Sequence, residues 1–280
     1  MDLRAILALE SHGPDTYVGA GPKYPWGGLY GGQIVAQALR AAAATVEHDG
    51  FVVHSLRSYF IRRGDHNEPV RYEVDRLRNG RSFCTRRVVA RQAVGAILNL
   101  ECSFQVAERS EDIQTIAMSD GVPLPETLDQ TSWSAVFERA TVPHGVLSDG
   151  GRAGTGRTAA WLRVIEDMPD DALVHAAALA YLSDDMPTEA VIRAHPLGKE
   201  PEEVLYQHTF SASLDHTIWF HRPMRADRWH LHDFSCLTFV GGRGLSLGQI
   251  FTLEGTHVAT VAQEVLVRDK RQRAVDGPTA

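Results

Sequence analysis

Two carboxylates close an apolar stretch that reads as a helix: "ALAYLSDDMP", residues 178–187, delivers Asp184 and Asp185 at its end. Desolvating a carboxylate is costly unless it is paired or hydrogen-bonded. The C-terminal end of a helix is also where the backbone dipole disfavours an anion. Such a pair is either a solvated helix end or a base held in place for chemistry, and the local sequence leaves both readings open. "GLSLG" (Gly244–Gly248) has the Gly-x-Ser-x-Gly form of a nucleophile elbow around Ser246. That elbow needs a strand before it, a helix after it, and a later acid and histidine. Here "QIFTLEGT" follows as a strand running into a turn, and His257 is the only later histidine, so the match is accidental. Asp215 and His216 are adjacent, and neighbours on a strand face opposite sides, so His216 is assigned a structural role. Asp215 and His221 share a face of a regular strand but lie far apart along it. In "TRRVVAR" (85–91), Arg87 and Arg91 fall on one strand face and Arg86 on the other. Forked guanidinium groups suit phosphate; solvated strand charge is the equal alternative.

Composition narrows the classes. The chain has 280 residues, 44% hydrophobic and 22% charged, the profile of a globular protein large enough for two modest domains. Its formal net charge of −7 argues against general nucleic-acid binding. No apolar run approaches the length of a membrane span, and neither end carries a secretory or organelle address, so a cytoplasmic location is expected. Three widely spaced cysteines (Cys84, Cys102, Cys236) suggest a reducing compartment and no zinc site. No metal-ligand spacing appears among the thirteen histidines. "GGLYGG" and "GGRG" lack the Lys-Ser/Thr of a phosphate-binding loop.

The elements that would position these groups occur twice. At an offset of 160 residues, Phe60 falls on Phe220, Arg62 on Arg222 and Gly95 on Gly255. The first half holds a helical pattern over 30–46, with Ile34, Val35, Ala38, Leu39 and Ala42 on one face. Its opening glycines leave the first N–H groups accessible. Strand patterns follow at Val52–Ile61, Val70–Leu77, Phe83–Gln92 and Ala96–Gln105. In the second half, Pro169-Asp170-Asp171 signals a helix reaching Leu182. Strands recur at Leu205–Phe220, Trp229–Phe239, Leu245–Leu253 and His257–Arg268. Residues 106–155 lack steady periodicity and read as a connecting excursion with a helix near Trp133–Arg139. A long helix wrapped by an antiparallel sheet, repeated in tandem, predicts an α+β double hotdog. Its parts are an N-terminal hotdog over 1–105, a linker over 106–155 and a C-terminal hotdog over 156–280, with the two sheets joined into one.

In this order, "GGQIVAQAL", "HSLRSYFIRRGD", "RNGRSFCTRRVVARQ", "LDHTIWFHRP" and "VAQEVLVR" resemble the TesB-like, or type II, acyl-CoA thioesterases from about Gly31 to Arg268. The resemblance implies hydrolysis of fatty acyl-CoA to free acid and CoA without metal or organic cofactor. It also implies a catalytic set around a water: Asp184 from "YLSD", Ser213 from "SLDH" and Gln263 from "AQEV". Asp184 would be the general base, with Ser213 and Gln263 orienting the water; Asp185 would be its solvated neighbour. For the carbonyl oxygen, helix physics offers the backbone N–H of Gly32 or Gln33. Arg87 and Arg91 become candidates for the CoA phosphates. Gln263 lies over Ser103 and Ser213 over Val53 in the repeat, which predicts one working site per chain. An enoyl-CoA hydratase or dehydratase of the same fold, using Asp215 and His221, stands as the second reading, and a non-catalytic acyl-CoA-binding protein as the third. Acyl-CoA is the expected partner, with a homo-oligomer expected and neither nucleic acid nor membrane insertion.

Overall fold

A computed structural model describes residues 1–47, 50–146 and 156–272, without the side chains of residues 202, 203 and 206. The chain opens with α1 (Leu3–Leu7), β1 (Glu10–Ser11) and β2 (Thr16–Gly19). The first hotdog motif follows as α2 (Gly31–Ala43), β3 (Phe51–Phe60), β4 (Val70–Asn79), β5 (Phe83–Gln92) and β6 (Gly95–Val106). Next come β7 (Gln130–Thr131), β8 (Phe137–Thr141) and β9 (Arg157–Val164). The second motif is α3 (Ala172–Leu182), α4 (Pro187–Ala194), α5 (Glu202–His208), β10 (Thr209–Ser213), β11 (Asp215–Phe220), β12 (His230–Val240), β13 (Arg243–Thr252) and β14 (His257–Asp269).

The strands form one antiparallel sheet in the order β1-β2-β4-β5-β6-β3-β11-β14-β13-β12-β9-β8-β7, with β10 also paired to β14. The seam between the halves is β3 against β11, registered from Asp215–Tyr59 to Trp219–Ser55. The repeat is clearest in β5 and β13, whose first and last residues differ by the offset of 160. Alternation drives these strands. In β5, Cys84, Arg86, Val88 and Ala90 are buried while Phe83, Arg87 and Arg91 are exposed. Glycines 95 and 255 make the matching turns, with φ of +106° and +82°.

The sheet wraps two helices. Alanine-rich α2 buries most of its length, and α3 is apolar all round, as a helix at the centre of a core must be. Asp171 caps α3, accepting from the N–H groups of Leu173 at 2.9 Å and Val174 at 3.2 Å. The second half carries extra chain between helix and sheet. There α4 and the turn after it bury Val191, Ile192 and Leu197 against Val265 and Val267.

Two expectations fail. The helix near Trp133–Arg139 is instead strand β8, because Phe137 to Thr141 find a ladder along β9, a strand that the sequence reading missed. The strand from Leu205 begins only at Thr209. Residues 202–208 are helical, started by Pro201, whose carbonyl accepts from Leu205 N–H at 3.0 Å. The expected domain boundary at residue 155 lies outside the described residues.

Candidate active site

The first turn of α2 meets the last turn of α3 at a pair of glycines. A Cβ on Gly31 would stand 2.6 Å from Asp184 Oδ2, and one on Gly32 would stand 2.3 Å from the Tyr181 carbonyl oxygen. Only glycine permits that approach. Its product is a hydrogen bond from Gly32 N–H to Asp184 Oδ2 at 2.8 Å. The puzzle of an anion at a helix C-terminus is thereby resolved: Asp184 leaves the negative end of α3 and enters the positive end of α2. Gly32 N–H, expected as a donor to the substrate oxygen, is therefore committed to the carboxylate instead. Gln33 is wholly buried, its Oε1 accepting from Tyr24 OH at 2.7 Å.

Asp184, Ser213 and Gln263 come together. Gln263, in the middle of β14, is fully buried and donates from Nε2 to Ser213 Oγ at 2.7 Å. Its carboxamide lies close enough to Asp184 to favour the ionised carboxylate. Asp184 Oδ1 is buried and has no hydrogen-bond partner among the described residues. Burial pushes the Asp184 pKa up to about 7, and the nearby Asp185 adds to the rise; Gln263 and the Gly32 N–H oppose it. A carboxyl poised there is a base near neutrality. If Asp184 acts as the base, kcat/KM should increase with pH through about 7 and fall about tenfold per unit well below it. A flat profile between pH 5 and 8 would remove Asp184 from that role.

Asp185 is a correction. Its side chain is only 3% exposed, not solvated. It accepts from Trp133 Nε1 at 2.6 Å and Arg139 Nη1 at 3.1 Å. Burial raises its pKa, and Arg139 and Trp133 counter this. Trp133 also joins Tyr24, Trp26, Tyr30 and Phe137 in an aromatic cluster over the helix ends. The stretch expected to be a mere linker thus builds one wall of the site.

His216 is buried completely and touches the same group, through Nδ1 to Gln263 Oε1 and through Nε2 to Ser183 Oγ at 2.9 Å. The sequence reading weighed His216 only against Asp215 and did not connect it with Gln263; Ser213 and His216 are three apart, a spacing that in a regular strand separates their faces. The ladder to β14 slips between Ser213–Val265 and Thr217–Ala262, and that bulge brings both side chains to Gln263. Asp215 stays apart, accepting from Glu264 N–H at 2.6 Å. His221 bonds Thr260 Oγ1 at 2.9 Å and packs on His257. The Asp215–His221 pair needed by a hydratase is not assembled. Ser246 lies in mid-strand opposite Gln263 and opens no helix, so there is no nucleophile elbow. Arg87 and Arg91 lie on the outer sheet face, bonded to Asp75 and Glu73. Arg91 lines an open cleft of about 390 Å³ with Arg71, Glu68 and Gln92.

Two helices packed inside one continuous antiparallel sheet, with a buried carboxylate where they meet, define a double-hotdog protein. Two family models match in tandem: the acyl-CoA thioesterase N-terminal domain over residues 21–105 and the C-terminal domain over 111–267. Acyl-CoA thioesterase 2 of Haemophilus influenzae is 32% identical over 86% of this chain and 87% of its own. Human acyl-coenzyme A thioesterase 8 is 33% identical over 97% and 92%. The crystal structure of acyl-CoA thioesterase II TesB2 from Mycobacterium marinum aligns with a TM-score of 0.84 at 35% identity, covering 98% of this chain and 99% of that one. The chain belongs to the TesB-like, type II acyl-CoA thioesterase family.

Proposed function

We propose that this acyl-CoA thioesterase cleaves its substrate by direct attack of a water whose proton passes to Asp184. The observation that carries the proposal is that buried Gln263 stands between buried Asp184 and half-buried Ser213, with Oδ1 of Asp184 unpartnered among the described residues. Attack of water oxygen on the thioester carbon forms the C–O bond as the proton moves to the carboxylate. Collapse of the tetrahedral intermediate breaks the C–S bond, and the proton leaves with the CoA thiol. Because Ser213 Oγ accepts from Gln263, its own proton is available to the water or to the developing oxyanion. Gln33 N–H, in the same first turn as the committed Gly32, is the backbone donor for that oxygen.

One site per chain is supported by what fills its twin. Thr45 follows α2 as Asp184 follows α3, and Arg86 stands where the repeat places Ser246. Arg86 is 1% exposed and donates to Thr45 Oγ1 at 2.7 Å, to Thr45 O at 3.0 Å and to Asn79 Oδ1 at 2.7 Å. A guanidinium occupies the place where the second half keeps a small hydroxyl. For the CoA phosphates Arg91 is better placed than Arg87. Arg91 and Arg71 both bond Glu73 and line an open cleft that also holds Glu68, whereas Arg87 is matched by Asp75. The proposal extends to residues 1–105 and 156–280 as the two hotdog units and to a homo-oligomer. Cytoplasmic action is supported by free thiols at Cys84, Cys102 and Cys236. No helix among the described residues is long and apolar enough to cross a membrane.

The test is release of free thiol from a series of acyl-CoAs by the purified chain, with titration by a non-cleavable acyl-CoA analogue. Thiol release with one analogue bound per chain is expected. Water addition to an enoyl-CoA without thiol release would overturn the reaction, and two bound per chain would overturn the single site.

A further inference from the structure

Gln263 has two ends, an oxygen that accepts and an NH2 that donates, and the proposed chemistry needs one particular end turned toward Asp184. An NH2 there steadies an ionised carboxylate, whereas an amide oxygen would repel it. We infer that His216 is a positioning residue that fixes the Gln263 carboxamide with its NH2 toward Asp184 and Ser213. This rests on the mechanism proposed above and adds the group that holds its parts in orientation.

The bonds run in one line. Ser183, the residue before Asp184, has its Oγ 2.9 Å from His216 Nε2. Nδ1 of the same ring meets Gln263 Oε1, and Gln263 Nε2 donates to Ser213 Oγ at 2.7 Å. Burial pushes the His216 pKa down to about 4, so near neutral pH the ring carries one proton. With that proton on Nδ1, His216 donates to Oε1 and accepts the Ser183 hydroxyl at Nε2. Every donor then has an acceptor, and the NH2 of Gln263 is left for Ser213 and the carboxylate. In the opposite tautomer Ser183 Oγ accepts from Nε2–H and donates to Ala180 O at 3.2 Å. Nδ1 is then an acceptor, the carboxamide must flip, and its oxygen faces Asp184. Ionised Asp184 disfavours that arrangement, so tautomer, amide orientation and base ionisation are coupled. The bulge between β10 and β11 makes the contact, since the one-residue slip brings both Ser213 and His216 to Gln263, one at each end of its carboxamide. His216 is also braced from behind: its carbonyl accepts from Ser58 Oγ, across the seam, at 3.1 Å.

The experiment compares His216→Leu, His216→Asn, Gln263→Ala and the His216→Leu/Gln263→Ala double variant by kcat, KM and pH profile. Leucine removes the donor. It should lower kcat by about 10²-fold, the scale of a misoriented catalytic group, with KM nearly unchanged. Asparagine places an N–H close to the position of Nδ1 and should restore kcat to within about tenfold of wild type. The double variant should be no slower than Gln263→Ala alone, because both substitutions remove the same oriented amide. The acidic limb of the profile should move up in His216→Leu as the carboxylate loses the facing NH2. The other titratable groups around Asp184 are Asp185 beside it and Tyr30 at the start of α2, and both stay in place. A purely structural role would lower stability without moving that limb. If His216→Leu does not fold, Ser183→Ala carries the test: it removes the tautomer's partner and should lower kcat several-fold with the limb displaced upward. A folded variant lacking either the kcat loss or the displaced limb overturns the inference, as do losses that multiply in the double variant. If Asp184→Asn also keeps its activity, the underlying mechanism has failed. If Asp184→Asn is inactive while His216→Leu is normal, only the positioning role has failed.

Discussion

Asp184→Asn should lose at least about 10³-fold in kcat while gaining thermal stability above neutral pH. The first effect is the removal of a general base, at the upper part of the usual range for such groups. The second follows from linkage. Asp184 has its folded pKa raised to about 7 by burial, whereas an unfolded Asp titrates near ~4. The folded chain therefore binds the proton more tightly. Its stabilising contribution is full below the unfolded pKa and is lost as pH rises through the folded one, at roughly 1.4 kcal/mol per pH unit between them. Asparagine cannot ionise, and its oxygen can still accept from Gly32 N–H. At pH 8 the variant should be more stable by on the order of 2–4 kcal/mol, read as a Tm higher by several degrees. Near pH 4 the difference should vanish. A carboxylate with only a structural role would show the reverse, with activity kept and stability lost.

Gly32→Ala should damage stability and turnover together. The added Cβ would lie 2.3 Å from the Tyr181 carbonyl oxygen and 2.6 Å from the Tyr30 ring. The first obstacle is the backbone of α3, which is wrapped by the sheet and cannot turn aside as a side chain can. Relief requires α2 and α3 to separate. Overpacking of this kind costs about 1–3 kcal/mol and occasionally more; with main chain as the obstacle, a value near 3 kcal/mol is expected. Separation also lengthens the 2.8 Å bond from Gly32 to Asp184. A displacement of about 1 Å near a reacting centre can cost 10²-fold in rate. Calorimetry for Tm, with kcat measured well below it, checks both parts. An alanine variant with wild-type Tm and kcat would show that the helices do not need this close approach.

The sheet and the central helices were legible from alternation and apolar faces. Phe83–Gln92 came out to the residue because ten residues of regular in-and-out burial leave no choice of register. Asp184, Ser213 and Gln263 were legible only as members of a family pattern, since each alone is an ordinary polar residue. What escaped the sequence was decided by long-range pairing. Trp133 and Arg139 reach Asp185 across 52 and 46 residues, and no local signal announces that. The contact of His216 with Gln263 was not foreseen because strand alternation assumes a regular ladder, and a bulge interrupts this one. Gly32 was correctly placed at a helix start with usable N–H groups. Its partner was misassigned because the approach of Asp184 depends on how α2 packs against α3.

Direct attack by water is tested most plainly by a single turnover in H2¹⁸O with enzyme in excess over a saturated acyl-CoA. The product acid should carry one ¹⁸O from the first turnover, and mass spectra of the quenched protein should show neither an acyl adduct nor label in Asp184. An acyl group caught on the chain, or unlabelled acid with ¹⁸O in the Asp184 carboxylate, would show that the carboxylate attacks the thioester itself and would contradict its role as a base.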